Sequence, residues 1–166
     1  MKLSIKAIPL AVILWMCCCS SCAQKNVDET MEQEKIPAQD GSANVTQVEV
    51  LGNENAYTFN VTISSPDTGC DQYADWWEVI DLQGNLLHRR ILAHSHVNEQ
   101  PFTRSGSPVN IDQNTEIYIR AHMNTTGYGT TVFKGTVASG LASSNLEAKF
   151  AKELEETAPL PDGCAF

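Results

Sequence analysis

Basic residues are scarce in this chain: 11 lysines and arginines stand against 20 aspartates and glutamates, for a formal net charge of −9. Aromatic residues make up only 7% of the sequence, and no stretch interleaves them with basic side chains. A surface this acidic repels the phosphate backbone of nucleic acids and anionic lipid headgroups. We therefore expect no nucleic-acid partner.

The sequence also lacks the recurring motifs of common enzymes. It contains no G-x-S-x-G, no H-E-x-x-H and no phosphate-binding P-loop. Glu78 with Asp75 or Asp81 is conceivable as a glycosidase pair, but neighbouring strand positions do not set the separation that such chemistry needs. We expect no catalytic residues, and a hydrolase is the least favoured function.

The N-terminus has the pattern of an export signal. Two lysines precede an unbroken apolar run of 13 residues, Ala7–Cys19. As a helix this run would rise about 20 Å, which is short of the ~30 Å hydrocarbon core of a membrane. Ser20-Ser21-Cys22 resembles the lipobox of bacterial lipoproteins, in which the cysteine becomes the acylated N-terminus. The alternative is an ordinary secretion signal cleaved nearby, for example before Ala23.

Acylation of Cys22 predicts a lipid-anchored protein of the cell envelope, because two or more acyl chains hold a protein stably on a membrane. In the lipoproteins that this pattern resembles, a residue other than Asp after the cysteine accompanies sorting to the outer membrane, and Ala23 fits. The mature chain would keep nine basic and 20 acidic residues, for a formal charge of −11. The predicted segments are a signal peptide (1–21), a lipidated N-terminus with a flexible linker (22–43), a β-sandwich domain (44–138), and a C-terminal helix with its tail (139–166).

The remaining cysteines predict one disulfide. Cys17, Cys18 and Cys19 would leave with the signal and Cys22 would be acylated, so only Cys70 and Cys164 remain. Two thiols in an exported chain favour a bridge because that compartment is oxidising. Two unpaired thiols are the alternative. Neither Cys70 nor Cys164 has a C-x-x-C partner or a nearby histidine, which argues against redox catalysis and a zinc–thiolate site.

Alternation of apolar and polar residues predicts an all-β domain. Tyr57, Phe59, Val61 and Ile63 alternate with polar residues, which is the clearest strand pattern in the chain. About seven short strands favour an immunoglobulin-like antiparallel β-sandwich, with a small open barrel as the competitor. The predicted strands lie around Val48 and Val50 and over 57–64, 76–82, 86–93, 109–111, 115–122 and 130–137.

One α-helix is predicted near the C-terminus. Ser144-x-x-Glu147 fits a capping box, and Leu146, Phe150 and Leu154 form an apolar stripe up to about Glu156. We expect this helix to lie on the sandwich, clamped by the disulfide. A loosely attached, exposed helix is the alternative.

Two histidines spaced for one strand face suggest a metal site. Residues i and i+2 of a strand point the same way, so His94 and His96 would present two imidazoles together, which suits Zn²⁺ or Cu²⁺. His122 could join them from a neighbouring strand. The structural alternative is two surface histidines, or one core histidine bonded to the backbone. A Cu or Zn cofactor is therefore an alternative expectation, and no cofactor is the leading one.

Several acids form a second candidate cluster. Asp67, Asp71 and Asp75 do not have the spacing of a calcium-binding EF loop. Asp67 could cap its own turn, and Asp75 could pair with Arg104 or Arg120 to fix the loop. The candidate site acids and their partner are Asp67, Asp71, Asp75, Glu99 and Arg104.

Several short motifs resemble a family of small exported bacterial proteins with no established activity. The motifs are Asp67-Thr68-Gly69, Tyr73-Ala74-Asp75, Trp77-Glu78-Val79, His94-x-His96-Val97 and Glu99-Gln100-Pro101-Phe102-Thr103-Arg104. The chain departs from the pattern at Cys70 and Ser95, where the family usually has Trp and Pro. The resemblance covers about residues 57–137. It implies the fold of an exported protein and supplies no catalytic residues.

The sequence thus predicts a membrane-anchored lipoprotein with a non-enzymatic binding or structural module. Its partner would be another envelope protein or a saccharide. A periplasmic Cu- or Zn-binding module using His94, His96 and His122 is the alternative.

Overall fold

The computed structural model of this chain describes residues 41–165. The predicted signal peptide, Cys22 and most of the predicted linker lie outside these residues. Within them, no helical segment is both long and apolar enough to cross a membrane.

Nine strands and one short helix make up the described chain. The strands are β1 (Asn44–Asn53), β2 (Ala56–Ser64), β3 (Ala74–Asp81), β4 (Leu86–Ile91), β5 (Phe102–Ser105), β6 (Ile117–Met123), β7 (Gly127–Tyr128), β8 (Thr131–Thr136) and β9 (Gly140–Asn145). A 3₁₀-helix spans Lys152–Glu156.

The strands form two antiparallel sheets that pack as a sandwich, which confirms the predicted fold class. One sheet has the order β1-β2-β5, and the other has the order β4-β3-β6-β8-β9 with β7 paired to β6. The alternating apolar residues of β2 face the core, and all four of them are buried: Tyr57, Phe59, Val61 and Ile63. Together with residues of the facing sheet, such as Val79 and Ile119, they form the main core.

The larger sheet is covered on its outer face as well, so its inner strand β3 is buried on both sides. Trp77 belongs to the core between the sheets, whereas Trp76 and Ile80 point to the outer face. There they form a second apolar cluster with Leu154 and the partly buried Phe150. The C-terminal segment therefore packs against the outer face of the sheet and buries it.

The prediction of a C-terminal α-helix is wrong. Residues 140–145 form strand β9 against β8, so the sheet continues past residue 138, and within residues 139–165 helical structure is limited to the 3₁₀-helix. The apolar stripe was nevertheless meaningful, because Leu146, Phe150 and Leu154 all lie in the outer cluster. The segment packs on the sheet as turns and a short 3₁₀-helix rather than as a regular α-helix.

Two connections fasten the ends of the described chain. Cys70 and Cys164 form the predicted disulfide, with their Cα atoms 5.5 Å apart. At the other end, the Thr126 hydroxyl donates a hydrogen bond to the Gly41 carbonyl at 2.8 Å.

Candidate functional site

Asp67 joins the two loops that the sequence singled out, 65–75 and 94–104. Its side chain is buried, and one carboxylate oxygen accepts hydrogen bonds from the Ser65 hydroxyl at 2.7 Å and the Ala74 amide at 3.0 Å. The other oxygen accepts one from the His96 amide at 2.8 Å. The two loops thus converge on this carboxylate, whose bonding capacity is largely taken up by the fold itself.

The Glu99–Arg104 run closes the same junction. Gln100 accepts a hydrogen bond from the Ser65 amide at 3.0 Å, and its side-chain nitrogen donates to the His96 carbonyl at 3.3 Å. Arg104 pairs with Glu99 at 2.7 Å on the surface, and this hydrogen bond lowers the pKa of the Glu99 carboxyl. The predicted pairing of Arg104 with Asp75 is therefore wrong, since Arg104 is engaged by an exposed neighbour.

His96 lies in the core of this junction. Its ring stacks on Phe102 at 3.7 Å with an interplanar angle of 10°, and neither ring nitrogen has a hydrogen-bond partner among residues 41–165. Burial, with help from Arg104 and His94, lowers the pKa of His96, while Asp67 and Glu99 act in the opposite direction. His94 is exposed, with its ring centroid 4.6 Å from that of His96.

His122 lies in a different environment from the other two histidines. Its Nδ1 is 2.7 Å from the Asp75 carboxylate, and its ring stacks on Trp76 at 3.6 Å with an interplanar angle of 7°. Asp75 is therefore paired with a histidine rather than with Arg104 or Arg120. Over residues 41–165, no three His, Cys, Asp or Glu side chains are arranged to hold one metal ion. The predicted set of His94, His96 and His122 is not brought together.

Asp71 takes no visible part in either cluster through its carboxylate. It is exposed on the loop, and its backbone carbonyl accepts a hydrogen bond from Asn124 at 3.3 Å. Asn124 also accepts a hydrogen bond from the Tyr73 amide at 3.0 Å. This part of the loop is thus held through the backbone.

A buried arginine–glutamate–arginine group, which the sequence analysis missed, lies at the centre of the outer face. Glu78 has no exposed side-chain surface, and its two oxygens contact Arg89 at 2.6 Å and Arg120 at 2.7 Å. The strand register places these residues side by side, since Glu78 faces Arg89 on β4 and Arg120 on β6. The group can be recognised only from the strand register, because the three residues are far apart in the sequence.

The two arginines also hold the C-terminal segment. Arg89 donates to the carbonyls of Leu154 at 2.7 Å and Thr157 at 2.6 Å, and Arg120 donates to those of Phe150 and Ala151. The Ala151 and Leu154 carbonyls also accept the backbone amides of Leu154 and Thr157, so the arginines add to the turn hydrogen bonds of the segment. The ionic group is therefore satisfied internally and serves to attach the segment.

An open pocket of about 330 Å³ lies where the C-terminal segment meets the end of β6. Its lining is mostly polar and includes Asp75, His122, Asn124, Lys152 and Glu155. The Glu155 carboxylate approaches the free side of the His122 ring, with Oε1 3.7 Å from Nε2. Among the described residues, this pocket combines an oriented imidazole with solvent access.

Comparison with known proteins gives one clue to cellular context. A protein of Halomicrobium mukohataei named "Putative lipoprotein" is 42% identical over 88 residues, which are 52% of this chain and 43% of that protein. The chain thus spans less than half the length of this relative. No protein-family model matches the chain. No solved structure matches it either.

Proposed function

We propose that this protein is an exported lipoprotein, anchored through acylated Cys22, whose β-sandwich is a non-enzymatic module that binds a small polar ligand. The lipobox-like Ser20-Ser21-Cys22 and the name of the Halomicrobium mukohataei relative support the anchor. Ala23 after the cysteine supports location at the outer membrane, facing the periplasm. The pocket beside β6 is the observation that carries the binding role.

The lining of the pocket suits a ligand rich in hydroxyl groups, such as a saccharide. Its volume of about 330 Å³ lies at the lower end of the range for small-molecule sites. The Glu155 carboxylate offers acceptors and the Lys152 ammonium offers donors. The buried carboxylates of Asp67 and Glu78 are held in internal bonds, which supports binding rather than acid–base catalysis.

The anchor is tested by substitution of the acylated cysteine. In cells producing the full chain, we expect Cys22→Ser to move the protein from the membrane fraction to the soluble fraction, and the mass increase of the acyl chains to disappear. Ser21→Ala is the matched control and should retain both properties. A Cys22→Ser protein that still carries acyl chains would contradict anchoring at this residue.

The pocket is tested with a panel of neutral and acidic oligosaccharides. Because Trp76 stacks on His122 at the pocket, its fluorescence should report occupancy. We expect Lys152→Gln to weaken the affinity for a bound saccharide about tenfold, which corresponds to ~1.4 kcal/mol. Lys149→Gln is the control, since Lys149 is exposed and outside the pocket lining. Equal affinities of the two variants would place saccharide binding elsewhere.

A further inference from the structure

The Asp75–His122 pair fixes how the imidazole faces the pocket. A carboxylate only accepts hydrogen bonds, so the 2.7 Å contact assigns the ring proton of neutral His122 to Nδ1 and leaves the lone pair on Nε2. The stack on Trp76 holds the plane of the ring. A carboxylate behind a histidine in this way is the usual support of a metal-binding imidazole.

A second electron donor lies near Nε2. Glu155 Oε1 lies 3.7 Å away, beyond hydrogen-bond distance, and its side chain is 25% exposed. Two ligands of one tetrahedral zinc ion, at about 2.1 Å each, are separated by about 3.4 Å. A small movement of the flexible glutamate would therefore give the spacing that a shared cation requires.

The backbone holds both donors in place. His122 belongs to β6, at the centre of the larger sheet, and Glu155 lies in the 3₁₀-helix next to the buried Leu154. Arg89 fixes this helix through the Leu154 carbonyl. Gly127 leaves the space that the carboxylate uses, because a Cβ atom there would lie 2.8 Å from Glu155 Oε1.

We propose that His122 Nε2 and the Glu155 carboxylate bind one divalent cation of the first transition row, with Asp75 as the supporting carboxylate and water as the remaining ligands. One nitrogen and one oxygen donor favour Cu²⁺, which heads the affinity order, or Zn²⁺. Ca²⁺ and Mg²⁺ require more oxygen ligands than the pair provides. Lys152, whose ammonium opposes a cation, is exposed and can turn towards solvent.

This inference rests on the pocket of the proposed function but not on its saccharide ligand. It also differs from the metal site predicted from the sequence, since it uses neither His94 nor His96. Water positions on the metal would open into the pocket, where a ligand oxygen could replace them. The two proposals can therefore fail separately.

The test is calorimetric titration of the full chain in detergent with Cu²⁺ or Zn²⁺ alone at pH 7, with Ca²⁺ as the hard-cation comparison. We expect one site for Cu²⁺ or Zn²⁺ and no heat from Ca²⁺. Glu155→Gln and His122→Asn should each remove this site, and Asp75→Asn should weaken it by about 10–100-fold. Glu153→Gln and His94→Asn are matched controls, because both residues are exposed and lie outside the pocket.

Three results would overturn the inference: no binding up to about 1 mM metal, binding unchanged in Glu155→Gln, or binding lost in His94→Asn. If His122→Asn unfolds, broadening of the Trp76 indole resonance by Cu²⁺ in the wild type replaces that variant. Absence of such broadening would also overturn the site. Saccharide binding that persists in a chelator while metal binding is absent would reject the metal and retain the proposed function.

Discussion

Three buried carboxylates illustrate how one residue type serves different ends in this protein. Asp67 accepts hydrogen bonds from two loops, Asp75 orients His122, and Glu78 lies between two arginines. The sequence identified Asp67 and Asp75 as notable but gave the wrong partner for Asp75. Partners of this kind depend on strand register and on backbone amides, and the order of side chains along the chain reveals neither.

The sequence around Glu78 indicated that this residue needs a charged partner. It lies between Trp77 and Val79 in the apolar middle of β3, and a charge buried there requires a partner. The partners proved to be arginines on the two adjacent strands. Identifying them needed the pairing of β3 with both neighbours, which alternation alone does not specify.

His96 predicts a loss of stability in mild acid. Its pKa in the folded protein is below the ordinary value of 6.5, chiefly because of burial, so the unfolded chain holds the extra proton in the interval below pH 6.5. The free energy of unfolding should therefore fall as the pH drops through this interval, by at most about 1.4 kcal/mol per pH unit for one proton. Urea unfolding of the full chain at pH 7.5 and 5.5 measures this change.

The control for His96 is the exposed neighbour His94. His96→Asn should flatten the dependence of stability on pH, whereas His94→Asn should leave most of it in place. Arg104, Asp67 and Glu99 face His96 and remain in both variants, so their contribution cancels in the comparison. An unchanged slope in His96→Asn would mean that other groups cause the acid sensitivity.

At the scale of elements, strands with regular alternation were predictable and short or small-residue strands were not. The prediction over 57–64 agrees closely with β2, and the hairpin of β3 and β4 was also found. The predicted strands omit β5, which prolines flank at positions 101 and 108 and in which only Phe102 is buried. β9 consists mainly of small residues, and its pairing with β8 rather than its own composition makes it a strand.

The error over residues 144–156 has a physical cause. The apolar spacing of Leu146, Phe150 and Leu154 matches a helix, and all three do pack on the sheet. Arg89 and Arg120, however, supply donors for carbonyls that an α-helix would satisfy by its own amides. Tertiary hydrogen bonds thus replace the local pattern that the periodicity predicted.

Attachment of this segment can be tested at Leu154. Since Leu154 is buried in the outer cluster, Leu154→Ala should lower the free energy of unfolding by about 2 kcal/mol or more. Leu160→Ala is the control, because 43% of Leu160 is exposed and its removal should cost less than about 0.5 kcal/mol. Denaturant unfolding measures the free energy of unfolding of both variants. Equal losses in the two variants would show that the outer cluster contributes little to stability.

For the whole molecule, the disulfide joins positions 94 residues apart. Closing a loop of this length restricts the unfolded chain and is worth up to about 4–5 kcal/mol in the chain-entropy model. The double variant Cys70→Ser/Cys164→Ser should lose much of this stability in urea unfolding. Reductant should reproduce the loss in the wild type and have no effect on the double variant. Equal stability of wild type and variant would contradict a stabilising bridge.

The hydrogen bond between Thr126 and Gly41 fixes where the chain joins the sandwich: beside the lining of the pocket, to which Thr126 belongs. The turn between β1 and β2 lies a full strand of ten residues away, about 30 Å. The described chain is therefore fastened at the pocket end of the sandwich and not at the turn between β1 and β2.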